Sequence, residues 1–112
     1  MLVVDDDPSI RLLCRVNLEL EGFDVLEAYD LAGAVEHAPA SDLVLLDLHL
    51  GQHSGLGVVD PVREAAPGVP LVLLTGSVDV DAALKRSASQ VVTKPFTIDG
   101  LLGAVKRHVR SV

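Results

Sequence analysis

Four short apolar runs punctuate the chain, and each is closed by a polar or charged residue. Leu2-Val3-Val4 runs into Asp5-Asp6-Asp7, Leu43-Val44-Leu45-Leu46 into Asp47, Leu71-Val72-Leu73-Leu74 into Thr75, and Val91-Val92 through Thr93 into Lys94. Such runs lack the 3–4 spacing of a helix face and predict strands buried on both sides, as inside a parallel sheet. A further strand, Phe23 to Ala28, is interrupted by Asp24 and Glu27 and is expected at an edge.

Helices are expected between the strands. Asp7 as N-cap with Pro8 at the first helical position opens one; Ile10, Leu13, Cys14 and Leu18 give its buried stripe, and Gly22 ends it. Asp30 caps a short helix through about Ala38, which Pro39 stops. His49 to Gly55 reads as a loop. The helix after it contains Pro61, which removes a backbone donor, so a kink or a fresh start with Asp60 as cap is expected, with Pro67-Gly68 closing the helix. A strand from Pro70 to Leu74, a fourth helix from Asp79 or Asp81 to about Arg86, a strand over about Gln90 to Thr93 and a last helix from near Ile98 to about Val109 complete the pattern. The alternation predicts an α/β fold of (βα)5 type, one domain over residues 1–112.

Composition narrows the function. At 112 residues, 49% hydrophobic and 22% charged, the chain can bury a layered core, and with 3% aromatics that core must be built from Leu, Val and Ala. A net charge of −7 argues against direct nucleic-acid or anionic-membrane binding and suits a cation. Cys14 is the single cysteine, so no intrachain disulfide is possible and a reducing cytoplasm fits. No apolar run approaches the roughly 20 residues of a membrane span, and no secretory leader is evident. The expected location is cytoplasmic.

If the strands are parallel, their terminal residues converge on one end of the sheet, where open α/β sheets bind ligands. Each terminal residue has a plain reading by itself: Asp7 a helix cap, Asp47 the start of a loop, Thr75 a turn cap, Lys94 a surface lysine. All of them at strand C-termini is a different matter. Asp5, Asp6 and Asp47 together resist ionising without a cation, and carboxylate oxygens with water are the ligands of Mg²⁺. Lys94 adds a positive charge and Thr75 a hydroxyl, so the parts for forming an aspartyl phosphate are present. Asp47, ending a central strand beside the acid pair, is the expected phosphoacceptor. His37, His49, His53 and His108 share no metal-ligand pattern, Cys14 belongs to the core, and Lys106, Arg107 and Arg110 suit the C-terminal end of the last helix.

These residues resemble the receiver domain of bacterial two-component response regulators. The resemblance rests on Leu2-Val3-Val4-Asp5-Asp6-Asp7-Pro8-Ser9-Ile10-Arg11, Asp47 with Gly55 eight residues on, Thr75-Gly76 and Lys94-Pro95-Phe96, in that order along the whole chain. It implies a flavodoxin-like five-stranded parallel sheet of order 2-1-3-4-5 with helices on both faces. It further implies phosphorylation of Asp47 by a sensor histidine kinase or phosphotransfer protein, followed by a switch of a partner-binding surface toward a downstream effector. In that picture Asp5, Asp6, Asp47 and the backbone carbonyl of His49 organise Mg²⁺, with Asp6 ahead of Asp5 as a direct ligand. Lys94 contacts the phosphoryl group and Thr75 moves toward it. Such a chain is a phosphoacceptor and not an enzyme, beyond catalysing its own phosphorylation and dephosphorylation. His49 and Ser77 stand two residues past Asp47 and Thr75, positions that tune phosphate lifetime in the family.

Four departures stand out. Gly51 replaces a usual proline, Pro61 interrupts the third helix, the Thr75–Lys94 stretch is about three residues short, and Val91 stands where an aromatic is usual. The last two bear on the output surface. Two rivals are a pseudo-receiver that binds partners without phosphorylation and a haloacid-dehalogenase-type phosphatase with Asp5 as nucleophile. The second leaves Asp47 unexplained and finds no acidic pair after Lys94. No DNA-binding or catalytic output segment is recognisable, so the chain reads as a stand-alone receiver or a piece of a longer regulator. Lys94-Pro95 is expected to be a cis peptide, turning the chain sharply after its strand.

Overall fold

A computed structural model of the chain describes residues 1–76, 86 and 88–109. The elements are β1 (Leu2–Val4), α1 (Pro8–Leu20), β2 (Leu26–Ala28), α2 (Leu31–His37), a 3₁₀ turn (Ala38–Ala40), β3 (Val44–Asp47), β4 (His49–Leu50), β5 (His53–Ser54), α3 (Leu56–Ala65), β6 (Leu71–Thr75), β7 (Gln90–Thr93) and α4 (Ile98–His108). The helix expected from Asp79 or Asp81 to Arg86 lies, Arg86 excepted, outside the described residues, as does Ser77. Among the described residues no helix is long and apolar enough to cross a membrane.

The main sheet has order β2-β1-β3-β6-β7 with every neighbouring pair parallel, which is the 2-1-3-4-5 order of the flavodoxin-like fold once the small β4–β5 hairpin is set aside. Strand alternation divides the interior in two. Leu2, Val4, Val44, Leu46, Leu71 and Leu73 face α2 and α3, where they meet Ala34, Val58, Val59 and Val62. Val3, Leu45, Val72 and Leu74 point the other way, onto Cys14 and Leu18 of α1 and Leu101, Ala104 and Val105 of α4. The near-continuous apolar runs are therefore explained: both faces of the central strands are covered.

Capping follows the sequence where side chains could be read. Asp7 is extended and accepts the Ser9 N–H, and Asp30 accepts the Gly33 N–H. Thr97 caps α4 through the Gly100 N–H, a cap the sequence reading did not anticipate. Strand β2 is shorter than expected. Leu2 pairs with Leu26, so Phe23 to Val25 run past the paired part of β1, and Phe23 and Val25 pack beneath the sheet.

Two expectations for the region after β3 need correction. The segment His49 to Gly55 is no plain loop: β4 and β5 pair antiparallel, with Gly51 at φ +60° in the turn. Helix α3 starts at Leu56 on the backbone of Gly55, whose carbonyl accepts the Val58 and Val59 N–H groups, so Asp60 is not its cap. Pro61 lies inside α3. A helix-interior proline costs about 3 kcal/mol. Val58, Val59 and Val62 are all fully buried, and burying each stabilises by roughly 1.5–3 kcal/mol, so packing outweighs the proline.

Candidate functional site

The strand order reverses beside β1, whose neighbours β2 and β3 lie on opposite sides, and the C-terminal edge at that reversal is where doubly wound sheets form a crevice. Val4 pairs with Leu46, so the next residues, Asp5 and Asp47, emerge side by side. One ligand oxygen from each of Asp5, Asp6 and Asp47 can be chosen so that all lie within 4.8 Å of one another. On the far side, Thr75 pairs with Thr93, and the Lys94 N–H donates to the Thr75 carbonyl at 2.6 Å. The Lys94-Pro95 peptide is cis, and the Lys94 side chain turns back over the sheet end.

The acids are not equivalent. Asp5 is fully buried; its Oδ1 accepts the Asp7 N–H at 2.9 Å and its Oδ2 the Lys94 ammonium at 2.9 Å. Asp6 is exposed and receives one long hydrogen bond, 3.4 Å, from the Gly51 N–H. Asp47 is buried; its Oδ1 accepts the His49 N–H at 3.2 Å and lies 3.6 Å from Lys94 Nζ. Thr75 is buried at the end of β6. His49 is exposed, in β4, one turn of chain beyond the acids.

Electrostatics report a shortage of positive charge. Burial, followed by the charge of Asp5, pushes the Asp47 carboxyl up to about 6, against the opposing pull of the His49 N–H and Lys94. Burial works against the Lys94 ammonium, but its hydrogen bond to Asp5 and the charges of Asp5 and Asp47 outweigh it and raise its pKa. At an effective dielectric of about 20, two like charges 4–5 Å apart repel by roughly 3–4 kcal/mol. One ammonium cannot neutralise three carboxylates so placed. The donor set, all oxygen with one acid exposed, fits a small hard dication.

The structure thus brings together Asp5, Asp6, Asp47 and Lys94, and puts Thr75 on the same sheet edge and His49 in the hairpin two residues past Asp47. Asp7 is a helix cap and no part of the cluster. Of the three acids Asp6 borders a hollow of about 400 Å³, lined also by Tyr29, Asp30, Gly51 and His53, while a hollow of about 500 Å³ beside Arg63 and Pro70 lies at the opposite end of the sheet. Two participants were not assigned from sequence. Gly51 supplies an N–H that a proline there would lack. Arg11 donates to the Asp5 carbonyl at 2.7 Å, a contact that no local pattern encodes.

Fold and cluster define a class, the flavodoxin-like α/β domains with an acidic cluster at the reversal point of the sheet, and comparison with known proteins gives the family. The response regulator receiver domain family matches residues 1–106, and the chain belongs to it. It is 40% identical over 116 residues to the transcriptional regulatory protein KdpE of Mycobacterium tuberculosis, covering 98% of this chain and 50% of that protein. The chain spans about half the length of the curated relatives it matches. The receiver domain of NtrX from Brucella abortus superposes with a TM-score of 0.85 at 30% identity, covering 99% and 98% of the two chains. A response regulator from Burkholderia pseudomallei, solved with a phosphorylated aspartic acid, a calcium ion and citrate, superposes with a TM-score of 0.76 at 26% identity, covering 98% of this chain and 65% of that one. Family membership disfavours the phosphatase reading.

Proposed function

We propose that residues 1–112 act as one receiver domain whose Asp47 accepts a phosphoryl group from the phosphohistidine of a sensor histidine kinase or phosphotransfer protein. The observation that carries the reading is the meeting of buried Asp47 with Asp5, Asp6 and Lys94 at the reversal point of the sheet. The His49 N–H holds Asp47 Oδ1, which leaves Oδ2 as the attacking oxygen. An O–P bond forms as the P–N bond of the donor breaks, and the electron pair returns to the donor imidazole. Asp5, Asp6, Asp47 and the His49 carbonyl would hold Mg²⁺, which supplies charge neutralisation at the phosphoryl oxygens.

Lys94 is 3.6 Å from Asp47 and moves onto a phosphoryl oxygen, giving up part of its hold on Asp5. The Thr75 hydroxyl donates to another phosphoryl oxygen, which biases the segment that follows Thr75 and so a partner surface. The Burkholderia neighbour, described with phosphorylated aspartate and a divalent cation, supports the same reading. The catalysis involved is limited to the chain's own phosphorylation and dephosphorylation. Incubation with a small phosphodonor and Mg²⁺ is expected to add one acid-stable, base-labile phosphoryl group. Undiminished labelling of Asp47→Asn would sink the assignment, and absence of labelling in the unaltered chain would leave the pseudo-receiver reading.

A further inference from the structure

We propose that Arg11 is a positioning residue for the divalent-cation site, and that Glu27 on the edge strand β2 aims it; the inference rests on the metal reading above. Asp5 ends the β1–β2 ladder, its N–H donating to the Ala28 carbonyl at 3.2 Å. Its own carbonyl leaves the ladder and accepts Arg11 Nη1 at 2.7 Å. That carbonyl belongs to the planar peptide joining Asp5 to Asp6. Fixing its direction fixes the backbone from which both carboxylates project, one toward Lys94 and one toward Gly51.

Arg11 is itself held. Its Nε lies 3.4 Å from Glu27 Oε1, and Arg15 Nη1 donates to Glu27 Oε2 at 2.6 Å. Two arginines of α1 therefore straddle one carboxylate of β2. The side chains are partly exposed, 19% for Arg11, 28% for Glu27 and 39% for Arg15. Ion pairs this close to solvent contribute little stability, so the clamp's consequence is geometric. A guanidinium fork can face a carboxylate and a carbonyl together, which an ammonium does less well.

Charge and geometry predict opposite signs. If Arg11 acted through its charge alone, removing it would relieve repulsion and tighten cation binding. If it positions the acid pair, removing it weakens binding, by about tenfold or more, as for other residues that orient metal ligands. The test is titration of the whole chain with Mg²⁺ alone, by calorimetry and by amide NMR, for the unaltered chain, Arg11→Lys, Arg11→Ala and Glu27→Gln. Urea denaturation of each in EDTA separates stability from affinity. The expected result is weaker Mg²⁺ binding in all three variants, greatest in Arg11→Ala, with a shifted Asp6 amide before any metal is added. Should Arg11→Ala not fold, Arg11→Lys decides, because it keeps the charge, whereas Glu27→Gln weakens cation binding on either account. Unchanged or tighter binding in the folded Arg11 variants, with or without a change in urea midpoint, overturns the positioning role. No binding by the unaltered chain overturns the metal reading itself and the clamp's role with it.

Discussion

Lys94 holds Asp5 at 2.9 Å and stands 3.6 Å from Asp47, so the ammonium's nearer partner is the acid that is not the proposed phosphoacceptor. Asp5 is fully buried and cannot recruit water to replace it. Without metal, Lys94→Ala is therefore expected to cost about 3 kcal/mol, toward the lower end for breaking a buried pair because Lys94 is partly exposed. Saturating Mg²⁺ should narrow that gap, because the variant, with one positive charge fewer beside the acids, binds the cation more tightly, and each tenfold difference in Kd is worth about 1.4 kcal/mol at saturation. Urea denaturation of both proteins in EDTA and in Mg²⁺ measures the two gaps. Equal gaps would mean that Lys94 and the cation do not answer the same charge.

The Asp47 carboxyl, pushed up to about 6, titrates above its unfolded value, the reverse of a salt-bridged acid. Between the two values the folded chain binds the extra proton, so the contribution of this group to stability is greatest below about pH 4 and is lost as pH rises through about 6. Two pKa units at about 1.4 kcal/mol each give a loss on the order of 3 kcal/mol by pH 7.5. Asp47→Asn removes it. In EDTA the variant should match the unaltered chain near pH 4 and exceed it at pH 7.5, and a pH-independent difference would refute this.

Gly51 has φ +60° and gives its N–H to Asp6. A proline there would need φ near −65° and has no N–H, so Gly51→Pro restores the family's usual residue yet should harm this chain. Loss of the β4–β5 turn and at least a few-fold weaker Mg²⁺ binding are expected. Gly51→Ala keeps the N–H and should cost about 1–2 kcal/mol of stability through the left-handed backbone alone. If Mg²⁺ titration of Gly51→Pro matched that of Gly51→Ala, the N–H would be irrelevant to the site.

Val91 is half-buried, pairs with Leu73 and packs on the α2–α3 side of the sheet. It is β-branched and restricted at its first torsion, so it cannot swing as a long aromatic would. Phosphorylation should then be felt mainly by the backbone of residues 75–90, read as amide shifts with a phosphoryl mimic. Thr75→Ala should erase those shifts, while Val91→Tyr should leave the phosphorylation rate within about twofold; a rotamer change centred on Val91 would refute the route.

Much of this was legible because the determining residues are contiguous. Leu43 to Leu46 followed by Asp47 states burial on both faces and a polar strand end in five letters, and Asp5, Asp6, Thr75 and Lys94 fall out of the same pattern. What stayed hidden depends on partners distant in sequence. Phe23 to Val25 look like strand until Leu26 is seen paired with Leu2, and Pro61 looks disruptive until three buried valines surround it. Arg11 sits on an amphipathic helix where a charged residue is unremarkable, and only the placement of β2 beside β1 brings Glu27 to it.

Asp5, Asp6 and Asp7 are chemically near-identical neighbours that accept from three different donors: Lys94, the Gly51 N–H and the Ser9 N–H. Composition alone therefore does not describe what this stretch requires. Adding or deleting one residue between Val4 and Pro8 would leave acids in place yet assign each to its neighbour's task. The helix would lose its cap or the lysine its counter-charge, with no change in the number of carboxylates. Spacing here is as informative as residue type, and a substitution scan that never alters length would not detect it.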